Sequence, residues 1–337
     1  MDRKPHKLGL WLLGLASVAT VAVAQDREQL REEAWLSESG KMEALVSEPA
    51  TLDADLERQV EQLPDPAGMI GSADWKDQLQ VGTSLFKTPF LFGGQAAKAG
   101  LSCHSCHVNG RDNPHFQFPG VSGQPGTADI THSFFSASLG NGTFDPVPIP
   151  DLAEAGKVDR SPQSAELEKF IRSIIVEEFA GEEPDEYVLA SLATYTRAIG
   201  LVGKSMPQER VGRSIGRDLE VVDVMVGQAR ARLIDQPQDR QRLSRLLLAG
   251  ARHRLALIHE RLIEPDHANQ REALERRSRT LGDVQNGLAE EGLAPSSASN
   301  LLHEWLRSFA NKTELEALEG ASLYDRDVLA RHLEASE

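Results

Sequence analysis

The sequence predicts a mostly α-helical protein in which one long aperiodic segment separates two helical regions. Three observations point there. Apolar residues recur at helical spacing on both sides of residues 108–150. No stretch alternates strongly enough between apolar and polar residues to predict a strand. Between Val108 and Pro150, turn-forming pairs such as Asn109-Gly110, Pro119-Gly120 and Gly140-Asn141 follow one another closely. At 337 residues the chain is long enough for two domains, or one with a large extension. The expected organisation is a leader over 1–24, a helical extension over 25–65, a central domain over 66–203 and a helical region over 204–337.

In chain order, Arg3, Lys4 and Lys7 precede the apolar run Leu8 to Ala24, which ends in Ala22-Val23-Ala24 before Gln25. That is the pattern of a cleaved signal peptide, so the mature chain is expected to be exported to the periplasm. Membrane contact would follow only if the leader were retained. Asp26 to Leu63 reads as two polar helices separated near Pro49-Ala50, the second with Leu52, Leu56, Val60 and Leu63 on one face. Pro64-Asp65-Pro66-Ala67-Gly68 breaks this pattern, and a short helix follows over Trp75 to Phe86. In the aperiodic segment Phe116, Phe118, Phe134, Phe135 and Phe144 are the apolar packing candidates.

Helices resume with Leu167, Phe170, Ile171, Ile174, Ile175 and Phe179 on one stripe. The next carries Val188, Leu189, Leu192, Tyr195 and Ile199, and its acidic start suits the positive end of a helix dipole. Downstream, Val222, Met225, Val226, Ala229 and Leu233 define one helix, and Leu243, Leu247, Ala251, Leu255, Ile258 and Leu262 another. A more polar helix over Ala268 to Glu290 precedes one with Leu301, Leu302, Trp305, Leu306 and Phe309. Packed side by side, these make a helical bundle. Its arginines from Arg230 to Arg279 alternate with acidic residues, as on a solvated, salt-bridged face.

The chemistry sits in the only two cysteines, Cys103-His104-Ser105-Cys106-His107. CxxCH is the pattern of covalent haem c attachment. Two thiols three positions apart on one helical turn reach both vinyl groups of a porphyrin, and the next residue offers an imidazole to the iron from the same side. Zinc would need a second ligand pair that no further cysteine supplies, and the βαβ pattern of a thioredoxin-like site is absent. A flat macrocycle also explains the long aperiodic segment, which would wrap around it. Cys103, Cys106 and His107 are therefore the expected holders of one covalent haem c, in a class-I-like cytochrome c domain with long haem-wrapping loops followed by the helical bundle.

The sixth iron position decides between electron carrier and ligand-binding enzyme. Met206 lies in an irregular segment just past this region and is one candidate. His115 and His132, both in the aperiodic segment, are the alternatives, and an open position is a fourth. Met225 sits on an apolar stripe and reads as core, and Met69 precedes the domain. His253 and His259 are six residues apart on one helix and fall on different faces. Asp112 and Asp129 read as turn formers rather than cation ligands.

The net charge of −15 disfavours nucleic acid and anionic membrane and suits a basic redox partner protein. The expected function is an exported monohaem c-type cytochrome that transfers electrons. The alternatives are a peroxidase-like haem oxidoreductase with an open distal site, or a redox docking module built on the acidic helices.

Gly82-x-x-Leu85-Phe86-x-x-Pro89, Leu101 to His107, and Asn109-Gly110 together resemble the haem domain of the di-haem cytochrome c peroxidase and MauG superfamily. Phe118-Pro119-Gly120-Val121-Ser122-Gly123, Gly126 to Thr131 and Pro148-Ile149-Pro150-Asp151-Leu152 continue the likeness, which spans about residues 71 to 200. The resemblance implies the cytochrome fold and haem attachment through the quoted motif. Family peroxidases carry two CxxCH motifs and this chain has one, so it implies a single haem here. The tyrosine–methionine segment that supplies an axial methionine in many members has no counterpart at the expected place.

Overall fold

The computed structural model describes residues 46–49, 52–135, 140–156, 158–205, 210–235, 241–290, 292–309 and 318–335. The leader, most of the first of the two expected N-terminal helices and Met206 lie outside the described residues, and the end of that expected helix, Ser47–Pro49, forms a strand instead. The described chain is mostly helical with few strands.

Two helices make the frame of the first half: α3, Trp75–Phe86, and α7, Glu186–Val202. They pack along their length, with α1, Leu52–Glu61, and the short α2, Pro66–Ile70, laid against them. α1 buries Leu56 and Val60 as its spacing predicts. α2 starts on Pro66, where a missing N–H costs nothing, and Asp65 accepts from the Gly68 N–H at 3.0 Å. α7 starts where Asp185 accepts from the Val188 N–H at 2.8 Å. One-turn helices α4, Gly94–Lys98, and α5, Cys103–Cys106, follow α3.

The close approach of α3 to α7 depends on Gly82. A Cβ there would overlap the backbone carbonyl of Ser191 and press on the Tyr195 side chain. Backbone cannot swing aside as a side chain can, so the helices would have to part. Gly82→Ala is expected to destabilise the fold by about 1–3 kcal/mol through overpacking, even though alanine favours a helix by about 1 kcal/mol over glycine. Urea unfolding checks this, and an unchanged midpoint would refute the packing account.

α6, Glu166–Ser173, runs into a single π-helical turn over Ile174–Glu178. This explains one departure from expectation. Phe170 is 47 % exposed, whereas Leu167, Ile175 and Phe179 are buried. A stripe drawn at a constant 100° per residue runs straight through the π turn, but the wider turn shifts the phase of what precedes it.

The second half comprises α8, Ile215–Asp235; α9, Gln241–Arg261; α10, Ala268–Ala289; α11, Pro295–Phe309; and α12, Arg326–Glu334. α8 packs on α9 and α11, and α9 on α10. The expected stripes of α8 and α9 are buried throughout, each fully buried Leu, Ile or Val contributing about 1.5–3 kcal/mol. Met225 is core, as expected. In α11 the buried apolar residues are Ala298, Leu302, Trp305 and Phe309, which leaves Leu301 on the flank, 47 % exposed against expectation.

α8 and α9 also pack on α3, so one continuous apolar core runs through both halves. Thr88, just past α3, fits against Gly250 of α9, where a Cβ would overlap its hydroxyl. Arg232 of α8 bridges to Asp77 of α3 and lies over the Tyr187 ring. The expected solvated, salt-bridged arginine face is present on α10, where Arg276 pairs with Glu272 at 2.7 Å, but not over the whole stretch: Arg232 and Arg254 are buried, because α8 and α9 turn those positions into the interface.

Two small antiparallel ladders complete the fold. β1, Ser47–Pro49, pairs with β4, Arg210–Gly212, in the register Ser47↔Gly212. β2, Thr127–Ala128, pairs with β3, Val147–Pro148, in the register Thr127↔Pro148. Strands of two or three residues have no period to read, which is why the sequence predicts none.

Candidate functional site

The cysteine turn is organised by its own short side chains. Ser102 stands at the N-cap of α5, and the Ser102 N–H donates to Ser105 Oγ at 3.0 Å, one half of a capping box. The His107 N–H closes on the Cys103 carbonyl at 2.8 Å. Asn109 then turns the chain in the left-handed region (φ 51°, ψ 36°), and Gly110 follows at φ 75°. Asparagine tolerates that region better than most residues. At Gly110 a Cβ would overlap the Ile199 side chain, so the turn lies directly against α7.

His107 projects from the end of this turn. Its Nδ1 lies 3.0 Å from the carbonyl oxygen of Pro150, 43 residues away. A carbonyl only accepts, so Nδ1 carries the proton and the Nε2 lone pair is left for another partner. Burial pulls the imidazole down to about 4, with the Pro150 hydrogen bond opposing, so the ring is neutral across the physiological range. Phe86 lies beside it at 6.5 Å between ring centroids, and the fully buried Tyr195 ring packs on Phe86 at 4.7 Å.

Pro150 is itself held in place. Asp151 pairs with the buried Arg111 at 2.7 Å, and Arg111 also donates to the Gly203 carbonyl at 2.7 Å. The Leu152 N–H donates to the Gly110 carbonyl at 3.2 Å, and Asn113 Nδ2 to the Ser105 carbonyl at 2.9 Å. The two ends of the 108–150 segment are thereby clamped on either side of His107.

Cys103 and Cys106 are free, half-buried and packed against the apolar core. Burial raises both thiols to about 12, with the neighbouring Cys106 adding to the effect at Cys103. They are protonated at neutral pH, unlike the thiolate of a redox or nucleophilic cysteine. His104, between them, is buried on the other side of the turn, where its Nδ1 accepts from the Asn109 N–H at 3.2 Å. Burial lowers its pKa well below the usual value, and the charges of Arg254, Lys87 and Arg213 lower it further.

The aperiodic segment brings much of its apolar surface inward. Phe116 and Phe135 are buried, and Phe118 and Phe134 pack against the core. Phe134 and Phe135 join an aromatic group with Phe179 and Phe92. Phe144 does not take part and is 57 % exposed. Residues 140–146 run outside the ladder of β2 and β3, and an aperiodic sequence carries no phase from which to separate inside from outside.

The candidates for the sixth position are less constrained. His115 and His132 are half-buried in the segment. His132 Nδ1 accepts from the Phe134 N–H at 3.1 Å, which leaves Nε2 as its remaining nitrogen. Asp129 is buried and closes a turn, accepting from the Thr131 N–H at 3.1 Å and its hydroxyl at 2.9 Å, and Asp112 is exposed.

Two protonated thiols on one helical turn beside a neutral imidazole with an available Nε2 form a donor set that suits haem c. Sequence reasoning singled out Cys103, Cys106 and His107, which the structure places together on one turn and its C-cap. It did not assign the Pro150 carbonyl, the Arg111–Asp151 pair or Asn113. The only signal for them is the Pro148-Ile149-Pro150-Asp151 stretch, which belongs to the family resemblance but carries no residue role in it. No family model matches the chain, and the comparisons with curated proteins and with solved structures return no match either.

Proposed function

We propose that the chain is an exported c-type cytochrome that carries electrons on one haem, attached through Cys103 and Cys106 and ligated by His107. The observation that carries this reading is the hydrogen bond from His107 Nδ1 to the Pro150 carbonyl. It sets the tautomer, orients the ring and makes Nε2 a better donor, which is what a carbonyl behind a metal-bound histidine does. When bound, the haem supplies a reversible Fe(III)/Fe(II) couple.

The rest of the work belongs to the protein. Cys103 and Cys106 would hold the haem through two thioethers, on the one turn that also leads into His107. Burial keeps His107 unprotonated, so no proton competes for Nε2. Arg111 and Asp151 hold Pro150 in position behind the ring. Phe86, Phe116, Phe118, Phe134 and Phe135 supply the apolar surroundings that keep water away. Met206, His115 and His132 are the residues that would supply a sixth ligand, an open position being the alternative, and the acidic surface suits a basic redox partner.

This reading places the protein with the single-haem relatives of the di-haem peroxidase and MauG domain, and places it in the periplasm after removal of residues 1–24. The test is to express the full chain with its leader in a host that matures c-type haem. One covalent haem per chain is expected by pyridine haemochrome spectroscopy, with a reversible one-electron potentiometric titration and a low-spin spectrum unreactive to H₂O₂. A chain exported without covalent haem would overturn the proposal. A high-spin ferric haem with rapid peroxide turnover would replace the carrier with a peroxidase-like oxidoreductase.

A further inference from the structure

Away from the cysteine turn, a groove of about 1120 Å³ lies between the two halves of the molecule. Phe90, Leu91 and Phe92 form part of one wall. The other is a face of α9, where Arg242, Arg245, Ala249, Arg252 and Ala256 follow one another at steps of three and four residues. Ser278 and Gln285 of α10 close the far side.

This wall concentrates positive charge in a chain whose net charge is −15. Arg242 is accounted for, since it pairs at 2.9 Å with Glu182 at the edge of the groove. Arg245 has no carboxylate within ion-pair distance among the described residues, and its Nε is buried without an acceptor. Arg252 gives one N–H to the neutral Gln285 at 2.9 Å, and its Nε is also buried without an acceptor. Both side chains are half-buried in the wall of the groove, so each guanidinium presents its remaining N–H groups there to an acceptor.

We propose that this groove binds an amphipathic monocarboxylate. The planar guanidinium fork matches a carboxylate in bidentate fashion. Phe90, Phe92, Leu246 and Ala249 offer a hydrocarbon surface to the remainder of the ligand. Glu182 and Asp185 also line the groove and repel a polyanion, which selects a singly charged head over a nucleotide or a nucleic acid strand. This site stands apart from the haem reading and holds whether or not that reading does.

Titration calorimetry of the full chain with octanoate is the test, with octan-1-ol and octylammonium as matched neutral and cationic probes. One saturable octanoate site per chain is expected, with the alcohol bound at least about tenfold more weakly and the cation not at all. Arg245→Gln should weaken octanoate by about tenfold to a hundredfold. It should do so without loss of folding, because Arg245 supports no ion pair whose loss would unfold the chain. Ala256→Trp, at an exposed position in the wall, should obstruct the same site. The proposal is overturned if octanoate shows no saturable binding, if octanol binds equally well, or if binding is unchanged in both variants.

Discussion

Replacing Cys103 and Cys106 together by alanine is expected to abolish covalent haem while leaving the polypeptide folded. The two sulfurs are the chain's whole supply of thiol, so nothing else can form a thioether. The turn that bears them is held by other atoms: the capping interaction of Ser102 with Ser105, the His107 N–H on the Cys103 carbonyl, and Asn113 on the Ser105 carbonyl. None of these uses a sulfur. His107 keeps its hydrogen bond to Pro150, so the double variant should still take up haem reversibly. Acid–acetone extraction separates the two states. Wild-type haem should stay with the protein, and haem from the variant should pass completely into the solvent. Haem that resists extraction from the double variant would show that the attachment site has been misassigned.

The largest stability effect is expected at Asp218. This carboxylate accepts from Arg254 at 3.0 Å and from the Tyr324 hydroxyl, with the Arg254 side chain 9 % and the Asp218 side chain 14 % exposed. Burial raises the phenol of Tyr324, and the charge of Asp218 raises it further. Asp218→Ala would leave a buried guanidinium without its counter-charge, at a cost of about 3–5 kcal/mol. A second substitution, Arg254→Met, removes the stranded charge and should recover a substantial part of that loss. Urea unfolding of the two single variants and the double variant closes the cycle. A loss below about 1 kcal/mol for Asp218→Ala would mean the pair is screened like a surface bridge. The pair has structural reach, because Arg254 is also one of the charges facing His104 on the rear of the cysteine turn. It therefore links α8, α9 and the segment before α12 to the back of the candidate site.

Legibility in the sequence followed the range of the interactions involved. Helix α3 was expected over Trp75 to Phe86 and spans those residues, because its apolar spacing and its terminators are local. The stripes of α8 and α9 were legible for the same reason. Phe170 was misread because a π turn changes the phase, and Leu301 because α11 rotates to bury Ala298 and Trp305. Phe144 lay in a segment with no phase at all. At the candidate site, the grouping of Cys103, Cys106 and His107 was legible because a fixed spacing places them on one turn. The Pro150 carbonyl was not, since any backbone carbonyl can accept and the partner sits 43 residues away. Pairing of β1 with β4 depends on a far more remote contact between very short segments.

The packing of α8 and α9 over α3 also has a consequence in time. His253 of α9 rests near Gly100, three residues before Cys103, and α8 and α9 cover the helix that leads towards the turn. Both covering helices are encoded well downstream of the cysteines. A polypeptide that emerges amino end first therefore presents residues 103–107 before residues 215–261 have followed, and folds in that order. During that interval the segment leading into the turn stands without its contact to His253. The order of the helices along the chain is thus a timetable: the cysteine turn first, the helices packed beside its approach second.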